Sequence, residues 1–462
     1  MKVVLTNPPV VRPLNSSAHS DFHGSGFVCP RFLAIMPGSF RLMKLLRQKF
    51  RLGKGVRYGI RAGSRWPFTS DFPICNSSPF PFFMAYAASY LRSNGIEAEV
   101  VDAVVEGETS YEKYIEKIKR HKADIVILET STPTFDIDIW IAHRITDFSD
   151  VALAGPHVSI KAEEILAQEK KIKYILKGEY ILNSLKMAQT QKPGIYDYEI
   201  VEDLDSLPFP LRDYHRADKY FEPTMPTPKP QLQIYGSKGC PFKCSFCYWP
   251  HTMYKGKYTG REPEKIIQEI KEAIAMHQYK SILFDDDTFN IGTERISRLC
   301  DMLKELNLPW TMMGRLDCSP AWLYDKMVDS GCVGMRFGVE TFNLDCLKRI
   351  NKGLERVDFI STLKYLSDKY PEVMIHLTMM KNMPEQTQKI HEEDIKQLHD
   401  LGYSSGLENI MRSYQLSQCA PFPGTKMYDD LVEEYGEANL SNYKSYDGSI
   451  DTVMTQLKKN KP

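Results

Sequence analysis

Gly236-Ser-Lys-Gly-Cys-Pro-Phe-Lys-Cys-Ser-Phe-Cys-Tyr-Trp-Pro250 is the stretch on which the reading of this chain turns. It contains Cys240, Cys244 and Cys247 as C-x3-C-x2-C, with no fourth cysteine nearby in sequence. Three thiolates so spaced can hold three corners of a cubane iron–sulfur cluster, and the missing ligand leaves one iron open. An open iron suits a redox enzyme whose cluster touches a substrate; a sealed electron carrier draws all its ligands from protein. Structural zinc is the alternative, with His251 as a further ligand at C-x3-H spacing. Zinc sites, however, usually pair two separate arms, and this segment offers one.

Outward from that loop, short apolar runs alternate with helical periodicity in both directions. Before it come Val3–Thr6, Phe82–Asn94, Ala98–Val101, Tyr111–His121, Ile125–Glu129, Ile137–Ile145, Val151–Ala154, Glu163–Lys170 and Tyr174–Leu176. Strands that read as continuous Val/Ile/Leu blocks between helices imply a parallel sheet covered on both faces. Residues 1–195 are therefore predicted as a doubly wound, Rossmann-like α/β domain, interrupted by an insertion from about residue 10 to 78. Prolines 208, 210, 223, 226, 228 and 230 suit no regular element, so 196–230 reads as a linker. From Gln231 the alternation resumes with longer helices, and six β/α repeats over 231–430 predict a partial (β/α)6 TIM-type barrel. The cysteine loop follows its first strand, at the end where a barrel places its chemistry. Residues 431–462 read as a short cap and tail.

Composition narrows the function. The chain has 462 residues, 59 basic and 59 acidic, so no global field favours nucleic acid, and none is expected as a partner. No apolar stretch is long enough to span a bilayer, and Met1-Lys-Val-Val-Leu-Thr-Asn-Pro-Pro9 enters a strand at once without a signal-cleavage pattern, which predicts a cytoplasmic protein. The ten cysteines fit a reducing compartment, with Cys300, Cys318, Cys332, Cys346 and Cys419 read as plain buried thiols.

The cysteine loop, with aromatic Phe246 before its last cysteine, resembles that of the radical S-adenosylmethionine (SAM) enzymes. Ile282-Leu-Phe-Asp-Asp-Asp-Thr-Phe-Asn290, Gly338-Val-Glu-Thr-Phe-Asn343, Lys348-Arg-Ile-Asn-Lys-Gly353 and Pro421-Phe-Pro-Gly-Thr425 extend the likeness downstream. It implies that the open iron chelates SAM, that Phe246 lies against adenine, that Asp286 and Asp287 meet the SAM amino group, and that Glu340 reaches the ribose. One departure stands out: where many members have a glycine-rich strand end, this chain reads Met379-Met-Lys-Asn-Met-Pro-Glu-Gln-Thr387.

The first half resembles the cobalamin-binding half of the cobalamin-dependent radical SAM enzymes. Asn7-Pro-Pro9, Asn94-Gly-Ile-Glu-Ala-Glu-Val-Val-Asp102, Gly155-Pro-His157, Lys177-Gly-Glu179 and Leu207-Pro-Phe-Pro-Leu-Arg212 carry the likeness. It implies cobalamin at the strand ends formed by Asn7, Pro8, Ser131, Thr132, Gly155, Pro156, His157, Gly178 and Glu179. On residue type alone these are also what turns require. Together the two likenesses imply a methyltransferase acting on an unactivated carbon of a small-molecule or lipid-like substrate, supplied with electrons by a partner such as flavodoxin or ferredoxin. In this scheme one SAM methylates cob(I)alamin and a second yields the radical that activates the substrate. A cyclase or rearrangement enzyme of the porphyrin-cyclase type uses the same cofactors, and a non-catalytic cobalamin or iron–sulfur sensor is the alternative of another class. Methylthiolation needs three N-terminal cysteines, and only Cys29 and Cys75 are there.

Two features of the insertion remain. Asp21-Phe-His-Gly-Ser-Gly26 fits the D-x-H-x-x-G pattern that puts a histidine on cobalt in other cobalamin proteins, but it lies well past the first strand and equally reads as a surface loop. Between Arg41 and Arg65 stand nine basic residues and no acidic one, with Leu42, Leu45, Leu46 and Phe50 at helical spacing. That pattern is either a solvated helix or a peripheral contact with an anionic membrane or substrate.

Overall fold

The computed structural model describes residues 1–9, 11–13, 56–59, 69–70, 79–106, 108, 110–213, 219–405, 409–446 and 453–459. His23, Cys29, Cys75 and the basic segment Arg41–Arg65, apart from the backbone of Val56–Gly59, lie outside the described residues.

The chain divides into two compact units, residues 1–201 with 208–219, and 202–207 with 220–462. The proline-rich segment read as a linker is thus shared out between them. In the first unit Leu211 N donates to Ala85 O at 3.0 Å, and Arg212 lies over the Phe80 ring at 4.2 Å. In the second, Asp205 accepts from Arg261 Nε at 2.7 Å and from Glu262 N at 2.7 Å. Prolines exclude regular structure but not burial, and these backbone and side-chain anchors do the packing.

The first unit is a six-stranded parallel sheet. Its strands are β1 (Lys2–Asn7), β2 (Glu97–Asp102), β3 (Ile125–Glu129), β4 (Asp150–Ala154), β5 (Tyr174–Leu176) and β6 (Gly194–Tyr196), in the order β2-β1-β3-β4-β5-β6. Val4, Val101, Val126, Leu128, Val151 and Leu153 pack on α2 (Tyr111–Arg120) and α3 (Phe135–Ile145) through Tyr114, Ile118, Ile141 and Ile145. The helix α1 (Phe82–Ser93) brings Phe83 edge-to-face with Tyr180, at the N-cap of α5 (Ile181–Thr190), at 5.9 Å; α4 (Ala162–Gln168) lies between β4 and β5 in the chain. The sheet is doubly wound, as expected, though its last helix and strand were not read from the sequence. Strand order reverses at β1, so the crevice between the carboxyl ends of β1 and β3 is the topological switch point where such sheets take ligands. The described strands of the insertion, Val11–Pro13, Val56–Gly59 and Thr69–Ser70, form a separate antiparallel sheet.

The second unit carries six parallel strands in chain order: β7 (Gln231–Ile234), β8 (Ser281–Phe284), β9 (Trp310–Gly314), β10 (Cys332–Glu340), β11 (Met374–Lys381) and β12 (Arg412–Gln418), with Ser404–Ser405 at the edge beyond β12. The helices α6 (Pro263–His277), α7 (Thr293–Leu306), α8 (Ala321–Asp329), α9 (Phe359–Lys369) and α10 (Gln388–Asp400) alternate with them. This is the partial (β/α)6 barrel that the apolar blocks predict. A further helix, α11 (Lys426–Tyr435), is capped by Thr425 of the Pro421–Thr425 turn, whose Oγ accepts from Tyr428 N at 3.2 Å. No helix among the described residues is long and apolar enough to cross a membrane.

Candidate active site

The cysteine loop leaves β7 through an antiparallel hairpin of Ser237–Gly239 with Tyr258–Gly260. Gly239 is obligatory there: its φ is +74°, and a Cβ would lie 1.9 Å from Lys257 O. The loop is then pinned along its length. Ser245 N donates to Ile350 O at 2.9 Å, Asn351 Nδ2 to Lys243 O at 2.7 Å, and Met427 N to Ser245 O at 2.9 Å. Tyr248 stacks on Phe422 at 4.4 Å. The sequel Lys348–Gly353 and the turn Pro421–Thr425 therefore share one role, holding this loop.

Cys240 and Cys244 are buried, Cys247 is partly buried, and all three are free thiols. Burial pushes the Cys240 thiol up, against a hydrogen bond from Thr288, and pushes Cys247 well up, with the charges of Cys244 and Cys240 adding to the effect. The three thiols thus sit within electrostatic reach of one another, and burial makes Cys240 and Cys247 resist ionisation. Each cubane thiolate faces a different iron, so such a set does not converge on a point. Among the described residues no His, Cys, Asp or Glu set does converge as a single ion would need. His251, the candidate zinc ligand, instead bonds the Cys244 backbone.

The carboxylates divide the labour differently from the sequence reading. Asp286 is fully buried, and both its oxygens are engaged, by Gly236 N at 2.8 Å and by the Ser237 hydroxyl. It clamps β8 to the hairpin rather than presenting an oxygen outward. Asp287 accepts from Gly239 N at 2.9 Å and raises the pKa of both Cys240 and Cys247 by its charge, which puts it at the thiols. Glu340 ends β10 at a register shift, with φ +69°, and accepts from Lys352 Nζ at 2.9 Å. Lys352 Nζ lies 5.9 Å from the Phe246 ring centroid and feels the Cys244 charge. Asp394 secures this corner by accepting from Thr341 Oγ1, Phe342 N and Gln386 Nε2. The departure at Met379–Thr387 is met locally: Asn382 and Glu385 take the left-handed backbone that glycine would take, and Thr387 caps α10.

Sequence reasoning missed Arg315, Lys352 and the neighbourhood of Cys318. Lys352 stood inside a quoted motif; Arg315 carried no signal of its own. Cys318, expected as a buried thiol, is partly exposed and sits close enough to Cys240 for their charges to interact.

In the first unit the predicted residues do gather at the carboxyl ends of β1, β3, β4 and β5. Gly155 has φ +117°, and a Cβ there would lie 2.4 Å from Thr130 O, so only glycine lets the β3 and β4 ends approach. Ser131 Oγ pairs with Thr134 Oγ1 at 2.7 Å, Thr132 is buried, and Glu179 Oε1 accepts from Val201 N at 2.6 Å. These side chains shape the loops. Asn7, Pro8 and Pro156 are buried at the same ends, and Gly178 N is held by Ser159 Oγ at 2.9 Å. His157 packs on Phe135 at 4.6 Å, and burial, then the Lys161 charge, pushes its pKa down to about 3. Glu129, which no motif flagged, closes β3; it accepts from the Tyr180 hydroxyl, and burial with the Asp102 charge pushes its pKa up to about 8.

Residues 234–395 match the Radical SAM superfamily. The chain is 24% identical over 409 residues to an uncharacterised methyltransferase of Pyrococcus horikoshii, covering 81% of this chain and 83% of the relative. It is 20% identical over 369 residues to a tRNA-2-methylthio-N(6)-dimethylallyladenosine synthase of Clostridium botulinum, covering 75% and 80%. With the bacteriochlorophyllide d C-8(2)-methyltransferase of Chlorobaculum tepidum it shares 24% over 317 residues, covering 64% and 65%. Among solved structures, the radical SAM methyltransferase TsrM of Kitasatospora setae aligns with a TM-score of 0.61 at 14% identity, covering 94% of this chain and 76% of that one. TsrM has been solved with cobalamin and an iron–sulfur cluster bound. The second unit is accordingly a radical SAM domain. The chain as a whole shares its fold with TsrM.

Proposed function

We propose that the chain is a cobalamin-dependent radical SAM enzyme that methylates an unactivated carbon of a small-molecule or lipid-like substrate. The observation that carries this reading is the thiol set Cys240, Cys244 and Cys247, held in one loop beside Asp287 and the Glu340–Lys352 pair. The donor chemistry fits a cluster with one open iron. When bound, cluster, SAM and cobalamin supply the electron, the radical chemistry and the carried methyl group; the chain supplies position, charge and exclusion of water.

Asp287 provides the carboxylate for the SAM ammonium, a role that Asp286 has given up to the hairpin. Glu340, oriented by Lys352, provides an acceptor for ribose hydroxyls, and Phe246 an apolar face for adenine. In the first unit Asn7, Thr132, Gly155 and His157 border the crevice that would hold the corrin, and Gly155 lets the β3 and β4 ends approach there. A neutral His157 can donate or accept a hydrogen bond without carrying charge. The reductant is a one-electron protein donor such as flavodoxin or ferredoxin.

The likeness to a tRNA methylthio synthase favours a second reading, methylthiolation, which requires a further cluster. Anaerobic incubation with methyl-labelled SAM, reductant and a cell extract separates the readings. A methylase yields labelled product, S-adenosylhomocysteine and 5′-deoxyadenosine together; a cyclase yields no labelled product; a methylthiolase adds sulfur as well; a sensor cleaves no SAM.

A further inference from the structure

Arg315 lies just beyond β9, where Asn290 fixes the backbone from both sides: Asn290 Oδ1 accepts from Arg315 N at 3.0 Å, and Nδ2 donates to Arg315 O at 2.8 Å. Its side chain is 5% exposed, and nearly every donor has a partner. Nε and Nη2 form a two-point pair with Asp317 at 2.9 and 2.7 Å, and Nη2 also donates to Lys352 O at 2.6 Å. The Phe242 ring packs against the guanidinium at 3.8 Å. With the fork so locked, Nη1 is aimed at Cys244 Sγ, 3.6 Å away, a usual reach for a hydrogen bond to sulfur. Cys240, by contrast, pairs with the neutral Thr288 hydroxyl.

Resting on the cluster reading above, we infer that Arg315 is a positioning residue that hydrogen-bonds the Cys244 thiolate and raises the reduction potential of the cluster this thiol would hold. Reduction adds one electron to the cluster, and the extra negative charge spreads onto its sulfurs. Hydrogen bonds to those sulfurs and local charge are main determinants of cluster potential. A guanidinium stays protonated throughout, so its N–H is always available to the thiolate. Burial strengthens the interaction relative to water. Asp317 offsets part of the positive charge but occupies the Nε–Nη2 edge, leaving the Nη1 bond to sulfur in place.

The test uses the full chain, reconstituted anaerobically with iron and sulfide, in an electron-paramagnetic-resonance redox titration with dithionite and without SAM. Arg315→Lys keeps the charge and loses the fork. Arg315→Gln combined with Asp317→Asn removes both partners, so that no buried carboxylate is stranded. Because that pair change leaves net charge unaltered, its effect reports the bond to sulfur. Both variants should take up iron and sulfide like the parent chain, with midpoints shifted negative. In the double variant the reduced-to-oxidised ratio at a fixed potential should fall about tenfold, or about 59 mV for a one-electron couple. Midpoints unmoved in both, with the cluster intact, overturn the inference, as does loss of the cluster from folded variants, which would make Arg315 a scaffold only. A parent chain that takes up no cluster overturns the reading beneath it, and the inference with it.

Discussion

At the strand ends of the first unit two buried titratable groups are shifted toward their neutral forms: Glu129 is pushed up to about 8 and His157 down to about 3. At the strand ends of the second unit, Arg315, Glu340 and Lys352 are buried and Asp317 is partly so, yet they form ion pairs at 2.7 and 2.9 Å. Burial penalises charge in both places; the outcome depends on whether a counter-charge is in reach. The difference matches the proposed occupants. A corrin rimmed with neutral amides asks for hydrogen bonds without charge, whereas a zwitterionic cosubstrate beside an anionic cluster asks for fixed charges of both signs.

The sharpest way to break this comparison is at the thiols. Cys244→Ala should lose cluster iron and abolish reductive SAM cleavage, a loss of more than about a hundredfold in 5′-deoxyadenosine. The first unit should still bind cobalamin, read by its visible absorbance. Retained cleavage with intact iron content would remove the charged side of the comparison.

Next in size is the Glu340–Lys352 pair, whose side chains are 8% and 7% exposed. Glu340→Ala strands a buried ammonium and should cost about 3–5 kcal/mol in denaturant titrations, while Glu340→Gln with Lys352→Met should cost much less. Equal losses would mean that Glu340 contributes by packing rather than by pairing. Gly155→Ala should follow, at about 1–3 kcal/mol from the left-handed backbone and the close Thr130 carbonyl, together with weakened cobalamin uptake. Full cobalamin loading in that variant would displace the corrin from the β4 end.

The smallest effect is the pH response of Glu129. Its folded pKa lies above that of the unfolded chain, so the folded state keeps a proton that the unfolded state releases, and stability falls as pH rises from about 4.5 to about 8. Glu129→Gln keeps an acceptor for Tyr180 and cannot ionise. Its stability relative to the parent chain should therefore grow across that window and level off above it. A constant difference would show that Glu129 is charged when folded.

Much of this was legible in the residues. Ile125–Glu129 and Ser281–Phe284 are apolar blocks whose ends coincide with the observed strands, because a strand buried on both faces leaves no polar position inside it. Gly194–Tyr196 was missed since three residues are too few to show a period. Asp286 and Asp287 could not be told apart in a run of three aspartates; only the hairpin partners Gly236, Ser237 and Gly239 assign one to clamping and the other to the thiols.

What the sequence by itself determined is local: the spacing of three cysteines and the apolar alternation of two α/β units, both patterns carried by residues close together in the chain. The tertiary structure decided what depends on long-range neighbours. Arg315 meets Cys244 across 71 positions of chain, and Tyr180 meets Glu129 across 51. Whether a buried group is charged, neutral or aimed at a thiol follows from the dielectric and the partner around it, and only the folded chain supplies both.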